Sequence, residues 1–108
     1  MLAEELKNFL ADGVSIDKAT LSAYDHDYSI FKIRPKAVVF PKDAEDIKKL
    51  VKFASKAKRA GESVSLTARS AGTDMTGGPL TDSILLVFTK YFNRILEVGK
   101  DFMRVEPG

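Results

Sequence analysis

The sequence predicts an α/β fold: a small three-stranded parallel sheet with flanking helices, followed by the first strands of an antiparallel sheet. Three observations point to it. Two short apolar strands, Ala37 to Phe40 and Ser63 to Ala68, bracket one long amphipathic helix, the pattern of a strand–helix–strand unit. A third apolar run, "SILLVFT" from Ser83, is too continuous for a strand with one wet face. Glycine or proline punctuates the junctions between these segments.

In chain order, Leu2, Leu6, Phe9 and Leu10 share one face of a short helix that Gly13 is placed to end. The segment "SIDKATLSAYDHDYSIFKI" offers Ser15 as the cap of a short helical turn, then reads as surface loop with aromatic anchors around His26. Arg34 precedes Pro35, which biases it toward extended backbone and marks a boundary. Residues 1–33 are therefore an N-terminal helical and loop segment, and residues 34–108 carry the sheet.

"AVVF" ends at Pro41 and reads as a buried strand because it is apolar and rich in β-branched side chains. Asp43 is the expected N-cap of the next helix, with Glu45 and Asp46 in its first turn. Ile47, Leu50, Val51, Ala54 and Ala57 are its expected apolar face, and Gly61 its C-terminal stop. Val64 and Leu66 then alternate with Ser63, Ser65 and Thr67 as in a strand parallel to the first. After the run from Ser83 to Thr89, "RILEV", "GKD" and "FMRVEPG" predict a hairpin with Gly99 in its turn.

Composition excludes several functions. The chain has 108 residues, enough for about one domain with a real core. Its 17 basic and 15 acidic residues are mixed along the sequence, so no basic stripe tracks a nucleic-acid backbone. Cysteine is absent and there is one histidine, which leaves no thiolate site and no metal cluster. No apolar run approaches the roughly 18 residues of a membrane-spanning helix, and the N-terminus lacks the pattern of a signal peptide. The expectation is a cytoplasmic chain with no nucleic-acid partner and no integral membrane segment.

His26, with aspartates on both sides, reads as an exposed loop histidine because no nucleophile or second base accompanies it. The lysines of the long helix read as its solvated face. Tyr24, Tyr28, Phe31, Tyr91 and Phe92 are expected to be packing anchors rather than stacking platforms for bases.

The stretch "ARSAGTDMTGGP", Ala68 to Pro79, leaves the carboxyl end of the second strand, where open α/β sheets bind ligands. It holds three of the chain's seven glycines, and glycine lets backbone N–H groups approach and point together at an anion. The string contains neither a P-loop nor a G-x-G-x-x-G leading into a helix. On residue types alone it serves equally well as a phosphate cradle or as a plain turn between two strands.

From Arg34 to Gly108, the order "RPKAVVFPKDAEDIKKLVKFA", "SLTARSAGTDMTGGP", "SILLVFTKYFNRILEV" and "VEPG" resembles the N-terminal part of the FAD-binding domain of the vanillyl-alcohol oxidase and p-cresol methylhydroxylase superfamily. The nearest likeness is to FAD-linked oxidases of the glycolate oxidase and D-lactate dehydrogenase type. "YDHDYSIF" looks like the Asp-containing segment that precedes their first Pro-flanked strand. The resemblance implies a PCMH-like FAD-binding subdomain in which the loop wraps the FAD pyrophosphate. Carried over by position, the cofactor contacts are Arg69, Ser70, Ala71, Gly72, Thr73, Asp74, Thr76, Gly77 and Gly78. No catalytic residue and no metal ligand is assigned.

Where the family often has glycines after the arginine, this chain has Ser70 and Ala71, which hold the backbone to negative φ. Members that attach flavin covalently through this loop carry a histidine where this chain has Thr73, so the resemblance implies non-covalent FAD. Gly72 is expected to be the close-approach position for phosphate, and Asp74 to brace the loop through backbone N–H groups. Much of the family's flavin site lies downstream of "EPG", so the chain is expected to be a fragment or a naturally short protein. Its partners would be FAD and the missing C-terminal part, and its exposed sheet edges leave room for a homo-oligomer. The implied parent is a flavoprotein oxidoreductase acting on a 2-hydroxy acid of the lactate or glycolate type. The alternative is a stand-alone, non-catalytic nucleotide-binding or interaction module.

Overall fold

The computed structural model describes residues 2–10 and 13–108. In chain order the elements are α1 (Leu2–Phe9), β1 (Val14–Ser15), α2 (Lys18–Ala23), β2 (Ala37–Val39), α3 (Ala44–Arg59), β3 (Leu66–Arg69), β4 (Ile84–Val87), β5 (Ile95–Val98) and β6 (Met103–Val105). One sheet has the order β1-β2-β4-β3, and β5 and β6 form a separate antiparallel pair. β4 runs parallel to both β2 and β3 and separates them, while β1 adds a short antiparallel edge. The expected parallel sheet is present, with its third strand inserted at the centre.

Alternation along the strands builds two cores. Ala37 and Val39 of β2 and Ile84 and Leu86 of β4 face α1 and α3, joining Leu6, Leu10, Leu50, Phe53, Ala57 and Val64. Val38, Leu85 and Val87 face the other way, toward Leu21, Tyr24 and Phe40. All four residues of β4 are buried, as expected of a strand covered on both faces. Each fully buried large apolar side chain contributes roughly 1.5–3 kcal/mol over an exposed one.

α3 begins where its cap requires. Asp43 accepts the Asp46 N–H at 2.9 Å. It ends in a Schellman motif: the Glu62 N–H reaches the Ala57 carbonyl, the Gly61 N–H reaches that of Lys58, and Gly61 sits at φ 88°. Its buried stripe is Leu50, Phe53 and Ala57, whereas Val51 is 54% exposed. The expected face was rotated by part of a turn, because Phe53 is taken up by a ring contact with Phe9 at 5.7 Å.

The segment after α1 is more ordered than its composition suggests. Asp17, not Ser15, caps α2 by accepting the Thr20 N–H, and Ser15 itself donates to Asp17. Gly13 at φ 88° accepts the Phe40 N–H at the sheet edge, and the helix end expected just before it falls on residues outside those described. Tyr24 packs edge-on against Phe40 and Phe92 against Phe88, as anchors should. Tyr28 and Phe31 do not: they are 74% and 53% exposed at the tip of a turn. The His26–Lys32 bridge closes that turn and carries them outward.

Candidate functional site

The glycine loop leaves β3 at Arg69, at the carboxyl ends of the parallel strands, and the chain then crosses back to the amino edge to enter β4 at Ile84, level with Leu66. Its shape follows from two glycines with positive φ, Gly72 at 73° and Gly77 at 81°; Ser70, Ala71 and Thr73 keep negative φ. The Asp74 carboxylate accepts the Thr76 N–H at 2.7 Å and the Thr76 hydroxyl at 2.6 Å, which braces the turn as expected. Those bonds hold Asp74 below the usual carboxylate range.

Across from the loop lies the turn from Asp25 to Ile33, and the two clasp each other. The Arg69 guanidinium donates to the His26 carbonyl at 2.7 Å and the Tyr24 carbonyl at 3.4 Å, and rests over the Tyr24 ring at 5.3 Å. In return the Tyr28 N–H donates to the Asp74 carbonyl at 3.0 Å, and Asp27 accepts the Gly77 N–H at 3.0 Å. Burial by itself raises the Asp27 pKa, but hydrogen bonds from Ser29 and Gly77 outweigh it and hold the carboxyl below its ordinary value. Asp25, almost fully buried, accepts from His26 and pairs with Arg34 at 3.2 Å and Lys32 at 3.6 Å, fixing the other end of the turn. His26 stays mostly exposed, in keeping with its reading as a loop histidine.

Two properties of this assembly suit an anion. Arg69 is only 8% exposed, yet among the described residues no carboxylate pairs with it, and its Nε is buried without a partner. A buried charge normally demands compensation. Just outside it, none of the backbone N–H groups from Ser70 to Met75, nor that of Gly78, donates to a protein acceptor among the described residues. A buried cation behind a row of unspent donors matches the pyrophosphate of a dinucleotide.

Gly72 does make a close approach, but to protein. A Cβ there would lie 2.2 Å from one terminal guanidinium nitrogen of Arg69 and 2.6 Å from its Nε. A larger residue at this position would therefore displace the Arg69 guanidinium whether or not a phosphate is bound. Sequence reasoning also missed Asp27, whose partner lies fifty residues away. Its local surroundings, "DHDYS", show a polar turn and nothing of that partner. A groove of about 550 Å³ between α1 and α3, bounded by Phe9, Phe53 and Lys56, shares no residue with the loop.

Comparison with known proteins follows the same line. The profile of the FAD binding domain family matches residues 35–108. The D-2-hydroxyglutarate dehydrogenase of Pseudomonas putida is 34% identical over 97 residues, covering 88% of this chain and 9% of that protein. The chain spans about a tenth of the length of the curated relatives it matches. Among solved structures, the 4-ethylphenol oxidase of Gulosibacter chungangensis superposes with a TM-score of 0.70 at 27% identity, over 92% of this chain and 20% of that one. p-Cresol methylhydroxylase superposes with a TM-score of 0.71 at 18% identity, over 93% and 20%, a likeness of fold. Among the described residues no helix is long and apolar enough to cross a membrane.

Proposed function

The chain belongs to the FAD binding domain family, with FAD as its ligand, and on that premise we propose that the loop from Ala68 to Pro79 holds the FAD pyrophosphate. The buried Arg69, with no carboxylate partner among the described residues and an unpartnered Nε, beside unspent backbone donors carries this reading. In it, the N–H groups of Ser70, Ala71, Gly72, Thr73, Asp74 and Gly78 face the phosphates, with the Ser70 and Thr73 hydroxyls as further donors, while the Thr76 hydroxyl, spent on Asp74, braces the turn beside them. Arg69 supplies charge from behind the loop while shaping it through Tyr24 and His26. Gly77, its N–H committed to Asp27, contributes backbone shape. Thr73 stands where members that attach flavin through this loop carry a histidine, so in this reading the cofactor is held without a covalent bond.

The whole protein oxidises a 2-hydroxy acid in this reading, and the relatives named D-2-hydroxyglutarate dehydrogenases make D-2-hydroxyglutarate the first substrate to try. Bound FAD supplies the hydride acceptor; this chain binds and orients the cofactor. The substrate-binding groups and the catalytic base lie outside these 108 residues in this reading, the exposed sheet edges leave room for a second copy, and the lack of cysteine suits the cytoplasm. A non-catalytic module is not favoured, because the curated relatives are dehydrogenases.

The test is anaerobic addition of D-2-hydroxyglutarate, lactate and glycolate to the flavin-loaded full-length protein. Bleaching of the visible flavin band by one of them is the expected result. A protein that binds FAD, retains it, and is bleached by none of them overturns the proposed activity.

A further inference from the structure

The buried carboxylate of Asp27 touches no part of the cofactor in the reading above, yet it is tied directly to the loop. We propose that Asp27 is a positioning residue for the dinucleotide: it pins the Gly77 N–H and so sets the loop in its anion-accepting shape without touching the cofactor. The inference rests on the pyrophosphate assignment.

Three observations carry it. Asp27 is 6% exposed, and its two oxygens are divided between two backbone donors, Ser29 N–H at 2.8 Å within its own turn and Gly77 N–H at 3.0 Å in the loop. Among the described residues no cation pairs with it, so hydrogen bonding from Ser29, side chain and backbone, and from the Gly77 N–H is what stabilises its charge. The contact falls at a position where loop geometry is constrained. Gly77 has a positive φ, a Cβ there would come within 3.1 Å of the Phe31 ring, and its carbonyl accepts the Leu80 N–H that turns the chain toward β4.

The consequence is a division of labour among the loop's amides. Asp27 takes one donor at the far end, Asp74 takes the Thr76 N–H, and the donors from Ser70 to Met75 stay unspent. Without the Asp27 anchor the Gly77 peptide is free to rotate, and the donors pointing at the phosphates lose their common orientation. Pre-ordering of this kind appears as affinity, because the bound shape is already set before the ligand arrives.

Residue-resolved amide hydrogen exchange on the full-length protein, with and without FAD, tests this. The Gly77 amide is expected to be protected in the FAD-free protein and to change little on binding, while amides from Ser70 to Met75 gain protection. A Gly77 amide that exchanges freely until FAD arrives overturns the role given to Asp27. Amides from Ser70 to Met75 that do not respond to FAD overturn the pyrophosphate assignment itself, and the two failures are distinct.

Asp27→Asn gives the second arm, since an amide group offers one acceptor oxygen where the carboxylate offers two. The FAD Kd, read by flavin fluorescence, is expected to rise roughly ten- to a hundredfold, the scale of a lost charge-assisted hydrogen bond. Glu106→Gln is the control: it alters a largely buried carboxylate beside the hairpin whose side-chain partner is Arg94, away from the loop and its clasp. It should lower thermal stability and leave Kd within about twofold. Equal loss of affinity in both variants, or unchanged affinity in a folded Asp27→Asn, refutes the proposal. If Asp27→Asn does not fold, the exchange measurement on the wild-type protein decides the matter.

Discussion

Two strands of nearly the same sequence have opposite fates in this chain. β4 reads Ile-Leu-Leu-Val and is buried at every position; β5 reads Ile-Leu-Glu-Val and is exposed at every position. The difference lies in their neighbours. β4 has a parallel strand on each edge and apolar residues of α3 and of the α2 region over its faces, whereas β5 has only β6, and neither face of that hairpin is covered. Ile95, Leu96, Val98, Phe102, Met103 and Val105 are all more than half exposed. Apolar residues mark what a strand can bury, and topology decides whether it does.

Truncation should separate the two regions most widely. Leu85→Ala removes a fully buried side chain and is expected to cost about 2–5 kcal/mol in urea denaturation, since transfer and cavity terms add. Leu96→Ala, at a side chain 54% exposed, should stay within about 0.5 kcal/mol in the 108-residue chain. Comparable losses would mean that the hairpin has folded back onto the sheet.

Two glycines sharpen the same contrast at smaller scale. Both Gly72 and Gly61 have positive φ, but only Gly72 is hemmed in, by the Arg69 guanidinium. Gly72→Ala is expected to cost on the order of 1–3 kcal/mol through strain and displacement of Arg69, and to weaken FAD binding with it. Gly61→Ala meets nothing within 4 Å, so about 1 kcal/mol of left-handed strain is the whole penalty. Thermal unfolding of the two variants compares them directly. Asp43→Ala falls in the same small range, about 1 kcal/mol for a lost N-cap on α3.

What the sequence disclosed follows the range of the interactions involved. α3, its Asp43 cap and its Gly61 stop are set by residues within four positions of one another, and all were legible. So were the three parallel strands, because each carries its own apolar run, and the position of the glycine loop, because the carboxyl end of a strand is a fixed place. β1 was not, since a two-residue edge strand leaves no periodicity. The insertion of β4 between β2 and β3 was not, since strand order has no local signature. Nor were the Arg69–His26 and Asp27–Gly77 contacts, which join segments more than forty residues apart. Family resemblance reached both the loop and the Asp-containing turn, but the contacts by which one shapes the other were visible only in three dimensions.

Acid unfolding yields the smallest and most discriminating effect. Asp25 on the sheet side and Glu106 beside the hairpin are both held below the ordinary carboxylate range, Asp25 first by its hydrogen bond from His26 and then by Arg34 and Lys32, Glu106 by Arg94. A carboxyl whose folded pKa is depressed contributes stability that is fully present above its unfolded pKa, about 4, and is lost as pH falls through the lower folded value. Both groups should therefore sharpen acid unfolding below about pH 4, and replacing either with its amide should flatten that limb. Salt tells them apart. Arg94 is 72% exposed, so concentrated salt should screen its pair with Glu106 and erase most of the effect of Glu106→Gln. Asp25 has partners that are also exposed, but its own carboxyl is almost fully buried and is held first by a hydrogen bond from His26, so more of the effect of Asp25→Asn should survive the same salt. A Glu106 contribution that resists screening would mean that the hairpin end is as well enclosed as the clasp, and that β5 and β6 owe their exposure to something other than a missing cover.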